Sequence, residues 1–368
     1  MRKLEKLGIV AFKSIREQTL ELGALNVLIG ANGAGKSNLV QAFQFLREIR
    51  MQSLARYSLE RGADALLFRG RKISSSMALY VQFGEGDVGN AYRIRLIPTD
   101  ENTLVVDEET ALFHDRKKYS RPYETHVGGA GREAQLATSK DRVAHYVRSD
   151  LESYRLYHFH DTSVTAAVRG PSDVNDNRFL RPDAANLAAF LHGLQHSHPD
   201  HFRNIEDAFR QIAPFFDGFT LAPSTVNPEK IRLEWREKGC DAYFNGVALS
   251  DGSLRFICIA TLLLQPTLPA VILLDEPELG LHPAAIGLLA ELLSAASVRT
   301  QLLVATQSVT LVNHLEPEQV WTTERQNGET VFQHFSKGDL ATWLETFEGA
   351  EGYGLGDLWE KNLLGGRP

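Results

Sequence analysis

Hydrophobic and polar residues follow two periods along the chain, one typical of strands and one typical of helices. The run from Leu25 to Ile29 is apolar except for Asn26, which predicts a short buried strand. Beyond Ser37, apolar side chains recur at helical spacing, which predicts a helix to about Leu54. Period-two alternation predicts two strands around a turn in 8–22 and antiparallel strands at 77–84, 91–98 and 103–114.

From Ala248 onward, predicted helices alternate with buried strands, which is typical of a parallel sheet with crossover helices. The preceding elements are a helix at about 134–153, a strand at 155–161, a polar loop at 162–182, helices at about 183–195 and 199–213, and strands at 218–223 and 231–237. These patterns predict an α/β fold with an antiparallel β subdomain, a parallel core sheet and a small helical lobe. We divide the chain at these patterns into an N-terminal lobe (1–161), a loop and helical lobe (162–215) and a C-terminal lobe (216–368). The glycine-rich stretch 352–368, with a Trp359 that looks exposed, receives no predicted element.

The predicted strand and helix within 25–54 enclose a sequence that fits the phosphate-binding pattern G-x-x-x-x-G-K-[ST]. Glycines let backbone N–H groups turn inward around an anion, and the following helix N-terminus adds its dipole. A glycine-rich turn without a ligand is the alternative, but a strand before and a helix after favour nucleotide binding. The predicted ATP-binding residues are Gly30, Asn32, Gly33, Ala34, Gly35, Lys36, Ser37 and Asn38, with Lys36 on the β- and γ-phosphates and Ser37 on Mg²⁺.

A second motif, at 271–278, reads VILLDEPE and has the form of a Walker B strand. Asp275 would hold magnesium through a water, and Glu276 would polarise the attacking water as general base. Pro277 ends the strand, because it cannot continue the ladder. A buried strand that ends in surface acids is the alternative, and the phosphate loop upstream argues against it.

Composition limits the partners and the compartment. The chain has 368 residues, a hydrophobic share of 43%, a net charge of −7 and only two cysteines. Its acidic balance means that any nucleic-acid contact needs a local basic face. The candidates are Arg116, Lys117, Lys118 and Arg121 in one patch and Arg47, Arg50 and Arg56 in another, and solvated faces are the alternative.

A cluster of four histidines without a cysteine, which favours a solvated helix junction over zinc, consists of His192, His196, His198 and His201. The few cysteines and the absence of a long apolar segment predict a cytoplasmic protein without a membrane partner.

A third motif, LSDGSLR at 249–255, opens an apolar helix just upstream of the Walker B strand. This order resembles the ABC-class ATPases, and GANGAGKSN, LSDG and DEPELGLHP together look most similar to their RecF, OLD and SMC group. The resemblance implies that Ser250 and Gly252 contact the γ-phosphate of ATP held by a second copy of the chain. Asp251 departs from the family's LSGGQ, which changes the local geometry of the motif.

The same resemblance assigns roles to further positions. Gln307 stands where ABC ATPases usually carry a histidine that senses the γ-phosphate. A glutamine donates a hydrogen bond but, unlike histidine, cannot take up a proton, which is compatible with slow hydrolysis. The family's Q-loop residue is placed at His160–Asp161 or at Gln82. Phe12, Lys13 and Ser14 resemble an "FKS" near the nucleotide, with Lys13 or Ser14 on ATP and a plain turn as the alternative.

The resemblance implies an ABC-type P-loop ATPase head that dimerises around ATP and Mg²⁺. Its catalytic residues would be Lys36, Glu276 and Gln307. The activity would switch a DNA-related process, in repair, maintenance or anti-phage defence. Some sixty residues after Gln307 are too few for the TOPRIM nuclease of OLD proteins, so an effector such as a nuclease would be encoded separately. The alternatives are an ATP-gated scaffold that does not hydrolyse ATP and the ATP-binding subunit of a transporter.

Overall fold

The structure is a computed structural model that describes residues 2–335 and 354–366. Its strands are β1 (Lys3–Phe12), β2 (Ile15–Glu21), β3 (Leu25–Ile29), β4 (Met77–Glu85), β5 (Val88–Pro98), β6 (Leu104–Asp115), β7 (Tyr123–Gly128), β8 (Tyr154–Tyr157), β9 (Ser172–Asp173), β10 (Phe216–Thr220), β11 (Lys230–Ile231), β12 (Glu234–Glu237), β13 (Tyr243–Asn245), β14 (Val271–Asp275), β15 (Gln301–Ala305), β16 (Val320–Gln326) and β17 (Glu329–His334). Its helices are α1 (Lys36–Arg50), α2 (Leu54–Arg61), α3 (Ala63–Leu66), α4 (Arg142–Glu152), α5 (Leu187–Ser197), α6 (Pro199–Ile212), α7 (Asp251–Leu264), α8 (Pro283–Ser297), α9 (Val309–Val312) and α10 (Leu355–Glu360).

A six-stranded core sheet has the order β17-β16-β3-β15-β14-β8, and all of its neighbours except β17 pair in parallel. Residues at the carboxyl ends of the central strands lie side by side, since Leu28 pairs with Ala305 and Ala305 pairs with Asp275. Strands β3, β14 and β15 are almost entirely buried, as continuous apolar runs predict for a parallel sheet. The loops that follow these strands therefore meet at one edge of the sheet.

A second six-stranded sheet is antiparallel, with the order β2-β1-β4-β5-β6-β7. It packs against α1 and α2 in a shared hydrophobic core that includes Phe12, Phe45 and Tyr92. This sheet is the predicted antiparallel subdomain, but β7 was absent from the prediction. The reason is that β7 is largely exposed and polar, so it lacks the alternation that identified its neighbours.

The predicted helical lobe contains α5 and α6, which pack on α7 rather than forming a separate core. Leu191, Phe209 and Ile257, one from each helix, belong to a single hydrophobic cluster with the core sheet. The divisions at residues 161 and 215 stay predictions.

Several boundaries and one burial prediction were wrong. Helix α5 begins at Leu187 instead of about residue 183, β10 lies at Phe216–Thr220 instead of 218–223, and the strand predicted at 231–237 is divided into β11 and β12, which belong to different sheets. Helix α4 begins at Arg142 instead of about residue 134, because the Asp141 carboxylate caps it by accepting from the N–H groups of Val143 and Ala144. Helix α1 ends at Arg50, and β8 ends at Tyr157 rather than at residue 161. Trp359 is 0% exposed, and its indole N–H donates to the carbonyl of Gly366. Residues 352, 353, 367 and 368 of the unassigned stretch lie outside the described part.

Candidate functional site

The glycine-rich loop joins β3 to α1 at the carboxyl edge of the core sheet. Gly35, immediately before α1, has a φ of 117°, and a Cβ at this position would overlap the side chain of Thr330. The side chain of Lys36 is buried, and its ammonium donates to the carbonyls of Gly30 and, at 3.2 Å, Ala31. Burial lowers the pKa of Lys36, whereas the carboxylates of Asp275, Glu276 and Glu278 oppose that shift. The loop lysine and the Walker B acids therefore face the same space.

Polar side chains from segments distant in sequence stabilise this loop through hydrogen bonds. Thr330 of β17 donates to the carbonyl of Ala34 at 2.8 Å, and its hydroxyl is 2.6 Å from that of Ser14. Asn38 of α1 donates to the Ser14 hydroxyl at 2.6 Å. The predicted ATP contact Lys13 instead donates to Gln41, so Ser14 is the member of this pair that contacts the loop network. Thr330 carried no signal in the sequence, since a threonine in an edge strand is common.

Asp275 ends β14, and Glu276 follows it with a φ of 42°, a left-handed conformation that is rare for a non-glycine residue. The side-chain amide of Gln307, which follows β15, donates to the Glu276 carboxylate. The backbone N–H of Glu276 donates to Ala305 at 2.7 Å, which fixes the turn. The structure thus brings together the predicted general base and the residue that replaces the family's histidine.

Glu278, the last residue of the VILLDEPE motif, is a buried acid to which the sequence analysis assigned no role. Its carboxylate accepts from the Thr306 hydroxyl at 2.5 Å and from the Gln307 N–H at 3.2 Å. Burial raises the pKa of Glu278, and one of its carboxylate oxygens has no hydrogen-bond partner within the described residues. Glu278 therefore anchors the segment that carries Gln307. The third acid of DEPE, two residues after Glu276, is the sequence signal that could have identified Glu278.

His160, and not Gln82, reaches the Walker B strand. The Nε2 atom of His160 lies 2.6 Å from the carbonyl oxygen of Asp275. Gln82 lies in the antiparallel sheet, where it bonds Glu5 and Tyr80. Because β8 is the neighbour of β14, the segment after β8 lies beside the candidate magnesium ligand. This placement favours His160–Asp161 for the role of the Q-loop.

The LSDG motif forms the exposed start of α7. Ser250 caps the helix by accepting from the Ser253 N–H at 3.1 Å, and both Ser250 and Asp251 are exposed. The Asp251 carboxylate accepts from the Arg169 guanidinium at 2.7 Å. Arg169 is buried and also donates to the carbonyls of Thr162 at 2.7 Å, Leu249 at 3.0 Å and Gly246. The acid that departs from the family pattern therefore has an intramolecular partner.

Gly252 and Arg255 tie the same helix to the segments beside the Walker B strand. A Cβ on Gly252 would overlap the carbonyl of Gly280, so the close approach of the two segments requires glycine there. The buried guanidinium of Arg255 donates to Phe159 at 2.9 Å, to His160 at 3.0 Å and to the carbonyl of Leu279. These contacts connect α7 to both segments that flank Asp275.

The family described as "AAA domain, putative AbiEii toxin, Type IV TA system" matches residues 25–313, which is more than half of the chain. This range begins at β3 and includes the phosphate loop, the LSDG motif and the Walker B strand. The chain belongs to this AAA-domain family. The AAA-domain range thus contains all but one of the residues predicted to bind nucleotide or metal or to catalyse the reaction, Lys13 being the exception.

Curated relatives of this AAA-domain chain carry the name "DNA replication and repair protein RecF". This chain is 28% identical over 225 residues to the RecF protein of Paenarthrobacter aurescens (strain TC1). It is 29% identical over 226 residues to the RecF protein of Arthrobacter sp. (strain FB24). Each match covers 57% of this chain and 54% of the relative. The chain therefore spans about half the length of the curated relatives it matches.

Solved structures with the same fold are heads of SMC proteins. The SMC head bound to the C-winged helix domain of ScpA has a TM-score of 0.61 at 16% identity, covering 92% of this chain and 99% of that one. The Smc head with an extended coiled coil, bound to the C-terminal domain of ScpA from Pyrococcus furiosus, has a TM-score of 0.56 at 16% identity, covering 94% and 99%. These similarities confirm the predicted ABC-type P-loop ATPase head. With the AAA-domain family and the RecF relatives, they confirm the predicted resemblance to ABC-class ATPases of the RecF and SMC-like group.

Oxygen ligands at the carboxyl edge fit magnesium. Asp275 lies at the end of β14, and burial raises the pKa of its carboxyl. Ser37, at the start of α1, supplies an exposed hydroxyl. Magnesium is commonly bound by one or two such groups together with substrate phosphates.

Two other predicted clusters have intramolecular partners. Arg116 pairs with Glu5, Lys117 with Asp87 at 2.7 Å and Lys118 with Asp115 at 3.2 Å, so acids balance this basic patch. His196 and His201 bond backbone carbonyls, and no group of three or more His, Cys, Asp or Glu side chains that could hold a metal ion occurs among residues 2–335 and 354–366. None of the helices in that part of the chain has the length and apolar character to cross a bilayer.

Proposed function

We propose that this AAA-domain protein binds Mg-ATP and hydrolyses it in a head-to-tail homodimer, and that this cycle switches a DNA-related process. The observation that carries the proposal is the convergence of Lys36, Asp275, Glu276 and Gln307 at one edge of the core sheet. The similarity to proteins named for DNA replication and repair favours DNA repair or maintenance over anti-phage defence. A separately encoded effector, such as a nuclease, would receive the signal.

Each residue has a distinct task in this mechanism. The Lys36 ammonium and the N–H groups of the loop hold the β- and γ-phosphates. Ser37 and Asp275 would hold magnesium, which would supply charge neutralisation at the phosphates. Glu276 accepts the proton of the attacking water, and the Gln307 amide orients the Glu276 carboxylate.

The second copy of the chain would complete the site. Ser250 is exposed at the N-terminus of α7, where its hydroxyl and the helix dipole favour an anion. The contacts of Gly252 and Arg255 connect this helix to the segments around Asp275 in its own subunit. Dimer closure on ATP would in this way be coupled to the catalytic carboxylates.

The test compares wild type with Glu276→Gln for ATP turnover and for ATP-dependent dimer mass. We expect turnover to fall by about a thousandfold while the ATP-bound dimer accumulates, because only the proton acceptor is lost. Glu60→Gln, an equivalent change on the exposed face of α2, is the matched control and should match wild type. Normal hydrolysis by Glu276→Gln would exclude the role of Glu276.

A second candidate function is an ATP-gated scaffold without turnover. Gln307 favours the scaffold, since the side chain that contacts the Glu276 carboxylate is an amide, which cannot take up a proton. The same experiment separates the two functions. A wild type that forms an ATP-dependent dimer but releases no phosphate would select the scaffold.

A further inference from the structure

A cavity of about 270 Å³ lies at the C-terminal end of α1, between this helix and the edge strand β8. Its apolar wall includes Phe43, Leu46 and Leu273. The residues of α1 that line the cavity run from Phe43 to Arg50, so the cavity lies about 10–20 Å along the helix from Lys36 of the phosphate loop. The cavity is therefore separate from the candidate ATP site.

Three arginines line this cavity: Arg47, Arg50 and Arg155. Arg50 contacts Glu152 at 3.3 Å, and Arg155 donates to the carbonyls of Glu152 and Tyr154 at 2.8 and 3.0 Å. Arg47 is exposed and makes no ion pair within the described residues. Against three positive charges stand one carboxylate and about half a negative charge from each of the C-termini of α1 and α4, which leaves a net charge of about +1.

The electrostatic environment of Arg50 supports this count. Burial lowers the pKa of Arg50, Arg155 and Arg47 lower it further by repulsion, and Glu152 opposes them. Guanidinium groups that repel one another in a half-buried site gain from an anion that accepts from several of them. Guanidinium forks match the oxygens of phosphate in this way.

An aromatic ring at the rim distinguishes between anions. Phe179 lines the cavity, and 60% of its surface is exposed. Its loop is fixed to the end of β8 by a hydrogen bond of 2.9 Å, in which the His158 N–H donates to the carbonyl of Pro182. An exposed ring beside arginines is the arrangement on which nucleobases stack while their phosphates are bound. An acidic peptide would use the arginines but not the face of the ring.

We propose that this cavity binds a nucleoside monophosphate unit, with its phosphate on Arg47, Arg50 and Arg155 and its base against Phe179. The unit is either a free nucleotide or the end of a single DNA strand. The second source rests on the DNA-related part of the proposed function, whereas the first is independent of it. The small, concave shape favours one nucleotide over a continuous duplex.

The experiment measures the anisotropy of a fluorescent, 5′-phosphorylated oligothymidylate bound to the full chain at low salt, with dTMP as competitor. Arg47→Glu is the test variant, since Arg47 is exposed and unpaired in the described structure. We expect it to weaken binding by about tenfold or more. Arg56→Glu is the matched control, because Arg56 is an exposed arginine outside the cavity lining, and should change binding less than twofold. Phe179→Ala should weaken binding by about tenfold through lost stacking. Unchanged ATP affinity in each variant verifies the fold.

The outcomes separate the sources and the hypotheses. Either source predicts that dTMP competes with the oligonucleotide. Tighter binding of dTMP than of the oligonucleotide supports the free nucleotide, and the reverse order supports a strand end. Binding of the oligonucleotide without competition by dTMP would place it outside the cavity and overturn the proposal. Equal affinities of Arg47→Glu and Arg56→Glu would overturn the proposal even if DNA binds elsewhere. Binding of dTMP without the oligonucleotide would keep the cavity assignment and contradict the DNA-related function. Binding of neither ligand, or equal displacement by polyglutamate of matched charge, would refute a nucleotide site.

Discussion

The pair of Arg169 and Asp251 offers a quantitative test of how the LSDG motif is held. Arg169 is buried and donates to three backbone carbonyls as well as to Asp251. Asp251 is mostly exposed, with 66% of its side chain accessible. The two partners should therefore contribute very differently to stability.

We expect Arg169→Met to cost about 3–5 kcal/mol, because it removes a buried charged donor and leaves carbonyls without their partner. Asp251→Asn should cost only about 0.5–1 kcal/mol, since water screens an exposed carboxylate. With an unfolding entropy of about 2 cal/mol/K per residue, these losses correspond to about 4–7 °C and about 1 °C in Tm. The double variant should show a coupling of about 0.5–1 kcal/mol.

Thermal unfolding of the four proteins of this cycle provides the measurement, with ATP-dependent dimer mass as the functional readout. Arg169→Met should also weaken dimer formation, because the carbonyls that it loses belong to residues beside the exposed Ser250. Arg181→Met, which breaks a surface pair with Asp176 at 2.7 Å, is the control and should shift Tm by less than about 1 °C. Equal losses from Asp251→Asn and Arg169→Met, or strictly additive effects, would refute this reasoning.

Two further predictions concern the same edge of the sheet. Gly252→Ala should lower stability by about 1–3 kcal/mol and impair the ATP-dependent dimer, because its Cβ would overlap the carbonyl of Gly280. We expect this loss although alanine favours helix. Thermal unfolding and dimer mass provide the measurements, and Gly23→Ala, whose Cβ would meet only ordinary contacts, is the control. Glu278→Gln should gain stability relative to wild type as pH rises above about 4.5. The folded pKa of Glu278 is raised by burial, so wild type loses stability between the unfolded and folded pKa values, whereas glutamine does not titrate. Urea unfolding across this pH range would contradict the prediction if the difference between the two proteins were constant.

The chemistry of the candidate site could be predicted from the sequence because it lies in contiguous segments. A phosphate loop needs glycines, a lysine and a hydroxyl within a few residues, and its strand and helix follow from hydrophobic period alone. The order of the loop, the LSDG motif and the Walker B strand likewise predicted the fold that the SMC heads confirm. Local capping was harder to predict, as the start of α4 at Arg142 shows, because helical periodicity continues through residues that the Asp141 cap excludes.

Only the tertiary structure decided how these segments are held. Thr330 contacts Ser14 across 316 positions, and Arg169 contacts Asp251 across 82. The sequence assigned no role to Arg169, which contacts the LSDG segment, or to Arg255 at the end of LSDGSLR, because their partners are mostly backbone carbonyls, which every residue provides. The cavity with its three arginines arises in the same way from α1 and the segment at β8. Sequence therefore determined which chemical groups are present, and packing of distant segments determined which of them meet, since burial and proximity are properties of the folded chain.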